Sequence, residues 1–370
     1  MSVPFFDHRP QMAPIRHDIE ARVKQVFEHG QFILGPEVHE LEAALAKNVG
    51  LPHCVGASSG TDALLAVLLA LDLAPGDEVV TPAFSYVAAA EMLQLLRLKP
   101  VYVEVDPDSF NLDPTRLSQA LTDNTRAVVA VDLFGQPAQY DAIREVIADR
   151  DIVLIEDAAQ SLGSSRHGVA AGALADIAIT SFFPTKTLGC FGDGGAVFTK
   201  SSEMASRVRS ILVHGQRQKY QHERIGFNGR LDTVQAAVLL AKLQNFDADL
   251  SQRQRAASRY DELVADLLAV FDVHPPLVEA GNTHVYGQYT LTLPQRDAVQ
   301  SLLGKAGIAT AVHYPLPLYR QWGQRPDTEM ETTEHLCNSV LSLPLYPGIP
   351  PEHQIAVVEA LQSALAAGAH

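Results

Sequence analysis

The stretch DIVLIEDAAQSLG, residues 151–163, shows the pattern on which the fold prediction depends. Its first half is an almost continuous run of apolar residues, which is typical of a strand buried on both faces of a parallel sheet. The run ends at Asp157, and open α/β sheets bind their ligands beyond the carboxyl ends of such strands. Asp157 is therefore expected either to contact a ligand or to cap the helix that follows it.

Five more stretches have the same strand character, and helix-length apolar stretches separate several of them. The predicted strands are DEVVTP (77–82), PVYVEV (100–105), AVVAVDLF (127–134), DIAITSFF (176–183) and GAVFTK (195–200). The predicted helices include TDALLAVLLALDL (61–73), SYVAAAEMLQLLRL (85–98) and YDAIREVIADR (140–150). This alternation predicts an α/β fold with crossover units on a mostly parallel sheet and helices on both faces.

The pattern changes after residue 244, where apolar residues recur at helical spacing from Phe246 to Leu267. We interpret this long helix as a bridge between two domains. Beyond it we predict two strands, a helix and a closing helix, in QYTLTLP (288–294), GIATAVHYP (307–315), RDAVQSLLGKAG (296–307) and the residues from about Glu352. The prediction is a large domain over residues 1–245 and a smaller C-terminal α/β domain over residues 246–370.

The composition narrows the class of protein. Hydrophobic residues make up 47% of the 370 residues and charged residues 19%, which is typical of an ordinary globular enzyme. The net charge of −15 argues against nucleic-acid binding, which needs a surplus of Lys and Arg. The longest apolar run, ALLAVLLAL, is far shorter than the roughly 20 residues that span a bilayer, and no signal-peptide pattern is visible. We therefore expect a cytoplasmic protein with no membrane or nucleic-acid partner.

A possible phosphate site precedes the first strongly helical run. Its residues are Ser58, Ser59, Gly60 and Thr61. The start of a helix presents free backbone N–H groups and the positive end of the helix dipole, which suit a phosphate group. Ser and Thr also favour N-caps, so a plain helix cap is the alternative interpretation.

Lys186 lies in FFPTKTLGCFGDGGAVF (182–198), whose glycine spacing is not that of a dinucleotide-binding fingerprint. A desolvated lysine forms Schiff bases with aldehydes, whereas most single lysines are solvated surface residues. Together with Asp157 and the phosphate-ready helix start, Lys186 meets three requirements of pyridoxal 5′-phosphate. These are an amine for its aldehyde, a carboxylate for its pyridine nitrogen and a cradle for its phosphate. Phe84, at the end of the strand 77–82, is placed to lie against the ring.

Seven motifs, in order over nearly the whole chain, resemble those of the DegT/DnrJ/EryC1/StrS family of sugar aminotransferases, which are fold-type-I pyridoxal phosphate enzymes. The motifs are GPEVHELE, SGTDAL, GDEVVTPAFSYVA, IEDAAQSLG, SFFPTKTLGCFGDGGAVF, NGRLDTVQAA and AVHYPLPL. The resemblance implies a mostly parallel seven-stranded sheet in the large domain, pyridoxal 5′-phosphate as the cofactor and a homodimer with shared active sites. We expect L-glutamate as the amino donor.

The resemblance also implies roles for individual residues. Lys186 would be the Schiff-base lysine and Asp157 the partner of the pyridine nitrogen. The other implied cofactor-binding residues are Gly60 and Thr61 at the phosphate, Phe84 on the ring, Gln160 and Ser181 as supports, and Asn228, reaching the phosphate from the other subunit. Relatives that carry His at the lysine position dehydrate sugars, so Lys186 favours transamination.

A basic segment between Arg207 and Arg230 bears on the substrate. It contains six Lys and Arg residues, at positions 207, 209, 217, 219, 224 and 230, against one acidic residue, Glu223. Such a segment either grips a pyrophosphate or a carboxylate or forms a solvated surface. His214 and His222 lie within it, but their spacing and their lack of carboxylate partners argue against a metal site, and we expect no metal.

Two stretches, EHGQFILGPEV (28–38) and ATAVHYPLPLYRQ (309–321), resemble the branch that acts on UDP-2-acetamido-2-deoxy-3-oxo-D-glucuronate in bacterial O-antigen and lipopolysaccharide biosynthesis. This implies sugar-nucleotide contacts from Gly30, Phe32 and Thr185, a carboxylate contact from Arg230 of the other subunit, and a pocket closed by His313 and Tyr314. Packing within the small domain is the alternative for the last two residues. A C4-keto-sugar aminotransferase, a family dehydratase and a non-catalytic cofactor-binding regulator remain alternative functions.

Overall fold

The computed structural model describes residues 2–326 and 328–368, which form fourteen strands and thirteen α-helices. The strands are β1 (His53–Ala57), β2 (Glu78–Pro82), β3 (Lys99–Val103), β4 (Thr125–Val131), β5 (Val153–Asp157), β6 (Ser165–Arg166), β7 (Val169–Ala170), β8 (Ile177–Ser181), β9 (Gly195–Thr199), β10 (Gln216–Gln218), β11 (Gln221–His222), β12 (Asn282–Thr283), β13 (Tyr289–Thr292) and β14 (Val340–Leu343). The helices are α1 (Arg9–Met12), α2 (Arg16–His29), α3 (Pro36–Val49), α4 (Gly60–Ala70), α5 (Ala88–Leu95), α6 (Pro114–Ala120), α7 (Tyr140–Ile147), α8 (Ser202–Ile211), α9 (Thr233–Leu243), α10 (Phe246–Leu268), α11 (Arg296–Lys305), α12 (Glu331–Ser339) and α13 (Pro351–Gly368).

The main sheet has the strand order β1-β9-β8-β5-β4-β2-β3. Strand β9 runs antiparallel to both of its neighbours, and the other adjacent pairs are parallel. The prediction of a mostly parallel seven-stranded sheet is confirmed, and all six predicted strands of the large domain take part in it. The seventh strand, β1, pairs at one edge; its polar His53 and its Gly56 weaken the apolar pattern, so it was not predicted separately.

Helices cover both faces of this sheet because side chains of successive strand residues point to opposite faces. Val129 and Ile155 belong to a core with residues of α4, α5 and α8. Their chain neighbours Val128 and Leu154 belong to a second core with residues of α6 and α7. Full burial of a Val, Leu or Ile side chain contributes about 1.5–3 kcal/mol, so these two cores hold the sheet edge that carries the site in place.

The C-terminal part of the chain builds a separate core. Strands β13 and β14 pair antiparallel and pack with α11, α13 and the later part of α10. The start of α10, at Phe246 and Leu250, packs instead with α3 and α9 in the core of the main sheet. Val3, at the other end of the chain, joins the C-terminal core. The division into domains at residues 245 and 246 stays a prediction, and α10 contributes to both cores.

The predicted strand over residues 307–315 is wrong. In this segment Ala311 forms an isolated bridge with Ser342, and the prolines at 315 and 317 lack the N–H group that a ladder needs. The partner of β13 is β14, which lies directly after α12 and was not predicted. None of the described helices combines the length and the apolarity needed to cross a bilayer.

Candidate active site

A cavity of about 310 Å³ opens where strands β5 and β8 end, beside the start of α4. Residues from distant parts of the chain line it, and many of them were predicted from the sequence. The predicted residues on its wall are Gly60, Thr61, Asp157, Ser181, Thr185, Lys186, His313 and Tyr314. The cavity therefore brings together the lysine, the carboxylate and the helix start that the sequence analysis singled out.

The start of α4 forms one wall of the cavity. Ser59 is its N-cap, with Oγ accepting the N–H of Asp62 at 3.0 Å. The N–H groups of Gly60 and Thr61 belong to the first turn, which has no intrahelical acceptors for them. A Cβ at residue 60 would lie 2.8 Å from Cβ of Ser181, so glycine lets the helix begin directly against the end of β8. This wall suits an anionic group.

Asp157 and Lys186 lie on the wall of the same cavity and are both half-buried. Burial raises the pKa of Asp157 above its usual value, although the N–H of Ala159 donates to its Oδ1 at 3.0 Å and the Lys186 charge favours the carboxylate. Burial likewise lowers the pKa of Lys186, against the opposing attraction of Asp157. A lysine of lowered pKa has a larger neutral, nucleophilic fraction, and a buried carboxylate favours a cationic partner.

The loop between β8 and β9 holds Lys186 in a tight turn. The backbone N–H of Lys186 donates to the carbonyl of Phe183 at 2.9 Å. Thr187 Oγ1 donates to the carbonyl of Leu162 at 3.0 Å, which attaches the turn to the segment after Asp157. A Cβ at Gly189 would lie 2.4 Å from the carbonyl oxygen of Pro184, so the turn closes only with glycine at this position.

His313 and Tyr314 close the cavity from the segment after α11. His313 Nδ1 lies 3.0 Å from Ser342 Oγ, and burial together with the Lys186 charge lowers the His313 pKa to about 4. Its imidazole is therefore neutral near pH 7. Gln160 is buried and does not line the cavity, but its Nε2 lies 3.3 Å from Oη of Tyr314. Gln160 thus supports the wall through Tyr314.

The aromatic residue predicted to stack on the cofactor ring is not in a suitable position. Phe84 is 1% exposed and packs against Phe134 in the core with 6.4 Å between ring centroids. Tyr86, two residues further on, lines the cavity with its ring centroid 5.9 Å from that of Tyr314. The expectation for Phe84 is therefore corrected: Phe84 does not face the cavity, and Tyr86 is the aromatic side chain of this segment that does. Both lie in TPAFSYVAAAE, and only the turn after β2 decides which ring faces the cavity.

Asp193 and Gln288 also line the cavity and were missed by the sequence analysis. Oε1 of Gln288 is buried and has no hydrogen-bond partner within the described residues, so it is an available acceptor for a donor in the cavity. Asp193 stands in the glycine-rich sequence GDGG, where its residue type alone gave no distinctive signal. Gln288 reaches the cavity because the backbone N–H groups of Val285 and Gln288 donate to carbonyls of the turn after β4, at Gly135 and Phe134.

Besides Phe84 and Gln160, four more predicted residues do not line the cavity of this single chain. They are Gly30, Phe32, Asn228 and Arg230. Gly30 ends α2 and Phe32 is 47% exposed, while Asn228 is also exposed. Arg230 is half-buried, and its Nε has no partner within the described residues. Contacts from Asn228 and Arg230 were expected to come from a second subunit, so a single chain leaves those two expectations untested.

Ion pairs engage half of the basic residues between Arg207 and Arg230. Arg209 donates to both carboxylate oxygens of Glu42, at 2.9 and 2.8 Å. Arg207 pairs with Asp72 and Glu203, and Arg217 pairs with Glu223. These arginines support the fold of the surface around α8, which favours the solvated-surface interpretation for this part of the segment.

The cavity wall fits pyridoxal 5′-phosphate. Lys186 offers an amine, Asp157 a carboxylate that favours a cationic ring nitrogen, and the first turn of α4 a cradle for a phosphate. The close approach of Gly60 to Ser181 shapes that cradle, and Tyr86 offers an aromatic ring on the wall. The volume of about 310 Å³ is that of a small-molecule site.

Comparison with known proteins agrees with this chemistry. Residues 14–362 match the DegT/DnrJ/EryC1/StrS aminotransferase family. A relative, UDP-2-acetamido-2-deoxy-3-oxo-D-glucuronate aminotransferase of Pseudomonas aeruginosa, is 46% identical over 346 residues, 93% of this chain and 95% of the relative.

Two solved structures are similar over almost the whole chain. A DegT DnrJ EryC1 StrS aminotransferase from Brucella abortus has a TM-score of 0.93 and 36% identity, covering 98% of this chain and 99% of that one. NtdA from Bacillus subtilis, solved with bound cofactor PMP, has a TM-score of 0.91 and 29% identity, covering 99% and 85%. The matched sequence and fold show that the chain belongs to the DegT/DnrJ/EryC1/StrS family of pyridoxal-phosphate-dependent aminotransferases, with a lysine on the wall of its cavity.

Proposed function

We propose that this enzyme transfers the amino group of L-glutamate to the C3 ketone of UDP-2-acetamido-2-deoxy-3-oxo-D-glucuronate, in the synthesis of O-antigen and lipopolysaccharide sugars. The observation that carries the proposal is the shared cavity of Lys186, Asp157 and the start of α4. The choice of substrate is supported by the 46% identity to the Pseudomonas aeruginosa enzyme that bears this name.

Lys186 and Asp157 have different roles in the proposed reaction. Bound pyridoxal 5′-phosphate supplies an aldehyde that carries the amino group and a protonated ring that withdraws electrons from the reacting carbon. Lys186 Nζ would hold the cofactor through a covalent bond and, as a free amine, would move a proton away from the donor carbon. Its lowered pKa favours the neutral amine that this step needs. Asp157 would keep the proton on the ring nitrogen of a bound cofactor.

The sugar nucleotide would enter from the side of Thr185, His313 and Tyr314, which stand on the cavity wall. The neutral imidazole of His313 can accept or donate a hydrogen bond to a sugar hydroxyl without adding charge. We assign Arg230 of a second subunit to the uronate carboxylate, because an arginine gives a bidentate grip and its Nε has no partner among the residues that the structure describes.

A homodimer is part of the proposal. Large apolar side chains are exposed on the loop after α2 and on the segment 220–225, including Ile33 at 50%, Tyr220 at 82% and Ile225 at 85%. Exposed apolar side chains favour burial against another protein surface. Gly30 and Phe32 belong to the first of these surfaces, so their expected contact with the sugar nucleotide would require the assembled dimer.

The first test is the visible absorption spectrum of the cofactor-loaded protein before and after addition of L-glutamate. We expect the band of the lysine-linked cofactor to disappear and the band of the pyridoxamine form to replace it. The Lys186→Ala variant is the matched control, because we expect it to bind the cofactor without the covalent link. A wild-type band that persists with glutamate would contradict the proposal, and would instead indicate another amino donor, a dehydratase or a regulator.

The position of amination is tested by competition. The loaded enzyme in its pyridoxamine form is mixed with equal amounts of a UDP-linked 3-oxo uronate and a nucleotide-linked 4-oxo hexose. We expect the 3-aminated product to predominate. Preferential amination of the 4-oxo sugar would support the alternative of a C4 aminotransferase and exclude the proposed substrate.

A further inference from the structure

Lys242, on α9, is buried next to the loop that carries Lys186. Only 1% of its surface is exposed, and Nζ donates a hydrogen bond of 2.5 Å to the carbonyl oxygen of Gly189. Lysines are almost never fully buried unless they are paired, because removing an ammonium group from water is costly. An apolar residue of similar size would normally be tolerated equally well at such a place. The buried ammonium group of Lys242 therefore indicates a specific interaction at this position.

The acceptor, the carbonyl oxygen of Gly189, lies in the tight turn between β8 and β9 that carries Lys186. The backbone N–H of Lys186 closes one side of this turn on Phe183, and Gly189 crosses close to Pro184 on the other side. Thr187 attaches the middle of the turn to the carbonyl of Leu162. The bond from Lys242 fixes the far end, so both side chains attach the part of the turn that directly follows the reactive lysine.

A carboxylate and an aromatic ring near Lys242 favour its charged form. Asp249, on α10, opposes the loss of the Lys242 charge on burial and itself accepts bonds from Gln11 Nε2 at 2.8 Å and Asn245 Nδ2 at 3.0 Å. The ring of Phe191 lies with its centroid 5.6 Å from Nζ, a cation–π distance. Burial nevertheless lowers the Lys242 pKa to about 8.

We propose that Lys242 is a positioning residue: its hydrogen bond to the Gly189 carbonyl holds the turn in the geometry that aims the Lys186 amine at the cofactor aldehyde. This inference rests on the proposed role of Lys186. When that amine condenses with the aldehyde, a C=N bond forms and one water molecule leaves. The rate of condensation depends on the placement of the amine, since a displacement of about 1 Å can cost a hundredfold.

The test uses the cofactor-free protein and does not measure turnover. Pyridoxal 5′-phosphate is added, samples are reduced with borohydride at intervals, and the fraction of covalently labelled protein is read by mass spectrometry with peptide mapping of Lys186. The variants are Lys242→Met, Asp249→Asn and the double variant. The double variant removes the charges of Lys242 and Asp249 together and leaves the buried Arg253 nearby, so it provides a second measurement if Lys242→Met alone folds poorly.

We expect Lys242→Met and the double variant to label Lys186 at least tenfold more slowly than wild type, and Asp249→Asn to stay within about threefold. Val238→Ala is the matched control, because Val238 is buried on the same helix against Ile15 and Ile19, in a core that contains no residue of the loop; it should lower the urea midpoint and label at the wild-type rate. Wild-type labelling by the double variant would overturn the proposal, as would equal slowing by Val238→Ala. Failure of wild type itself to label Lys186 would instead overturn the proposed function.

Discussion

The side-chain nitrogen of Gln160 lies 3.3 Å from the hydroxyl oxygen of Tyr314, although 154 positions separate the two residues along the chain. The oxygen of the same side chain accepts the backbone N–H of Phe134 at 2.9 Å. Phe134 has a φ of 60°, a left-handed conformation that few residues other than glycine adopt. One buried amide therefore holds both an unusual backbone turn and a wall of the active site.

This arrangement predicts unequal effects of two substitutions. Gln160→Leu leaves the buried N–H of Phe134 without an acceptor and should lower the free energy of unfolding by about 1–3 kcal/mol. Tyr314→Phe removes one hydrogen bond on the cavity side, where water can replace it, and should cost about 1 kcal/mol or less. Urea denaturation of the cofactor-free protein measures both, and equal losses would contradict the assigned role of Gln160.

Substitutions of Tyr86 and Phe84 should have different effects: the first on cofactor affinity and the second on stability. Tyr86→Ala removes an aromatic ring from the cavity wall and should weaken binding of pyridoxal 5′-phosphate by about 1 kcal/mol, roughly fivefold. Phe84→Leu changes a buried core side chain and should lower stability with less than a twofold change in affinity. Equilibrium dialysis and thermal unfolding provide the two measurements. A larger loss of affinity in Phe84→Leu would restore the original assignment.

Lys186→Ala should retain the cofactor without a covalent bond and lose at least about 10²–10⁴-fold in turnover, the range expected when a general acid–base group is removed. Lys186→Arg keeps the positive charge but cannot release its proton near neutral pH, so it should be equally inactive. Steady-state transamination with L-glutamate measures both variants. Appreciable turnover by either one is incompatible with the role of this amine.

His284 predicts a pH dependence of stability. It is 4% exposed, its Nδ1 accepts the N–H of Tyr286 at 2.8 Å, and burial lowers its pKa to about 3. The unfolded chain therefore binds a proton below about pH 6.5 that the folded chain does not bind. Stability is lost as the pH falls, with a slope approaching about 1.4 kcal/mol per pH unit for this group.

The variant His284→Asn keeps an acceptor for the Tyr286 N–H but cannot be protonated in this range. We expect its free energy of unfolding to fall less steeply than that of wild type between pH 6.5 and 5. Urea denaturation at several pH values measures the difference in slope. Parallel curves for the two proteins would show that the His284 side chain is protonated in the folded state.

The fold could be predicted from the sequence because the strands of a parallel sheet are buried on both faces. Continuous apolar runs, such as those ending at Asp157 and Ser181, are typical of these strands and identified them here. The exception was the segment around Ala311, whose apolar residues pack against the C-terminal core without forming a strand. A local pattern of apolar residues does not distinguish a packed loop from a strand, because a strand also needs a partner strand to pair with.

The sequence by itself determined the chemistry of the site: Lys186, Asp157 and the helix start at Gly60 stand at strand and helix ends, which a parallel sheet necessarily collects at one edge. Only the tertiary structure decided which aromatic ring faces the cavity, that Gln288 reaches its wall, and that Lys242 bonds to the turn of the reactive lysine. These features depend on the approach of segments far apart along the chain. Such approaches are set by the packing of whole elements and leave no local mark in the sequence.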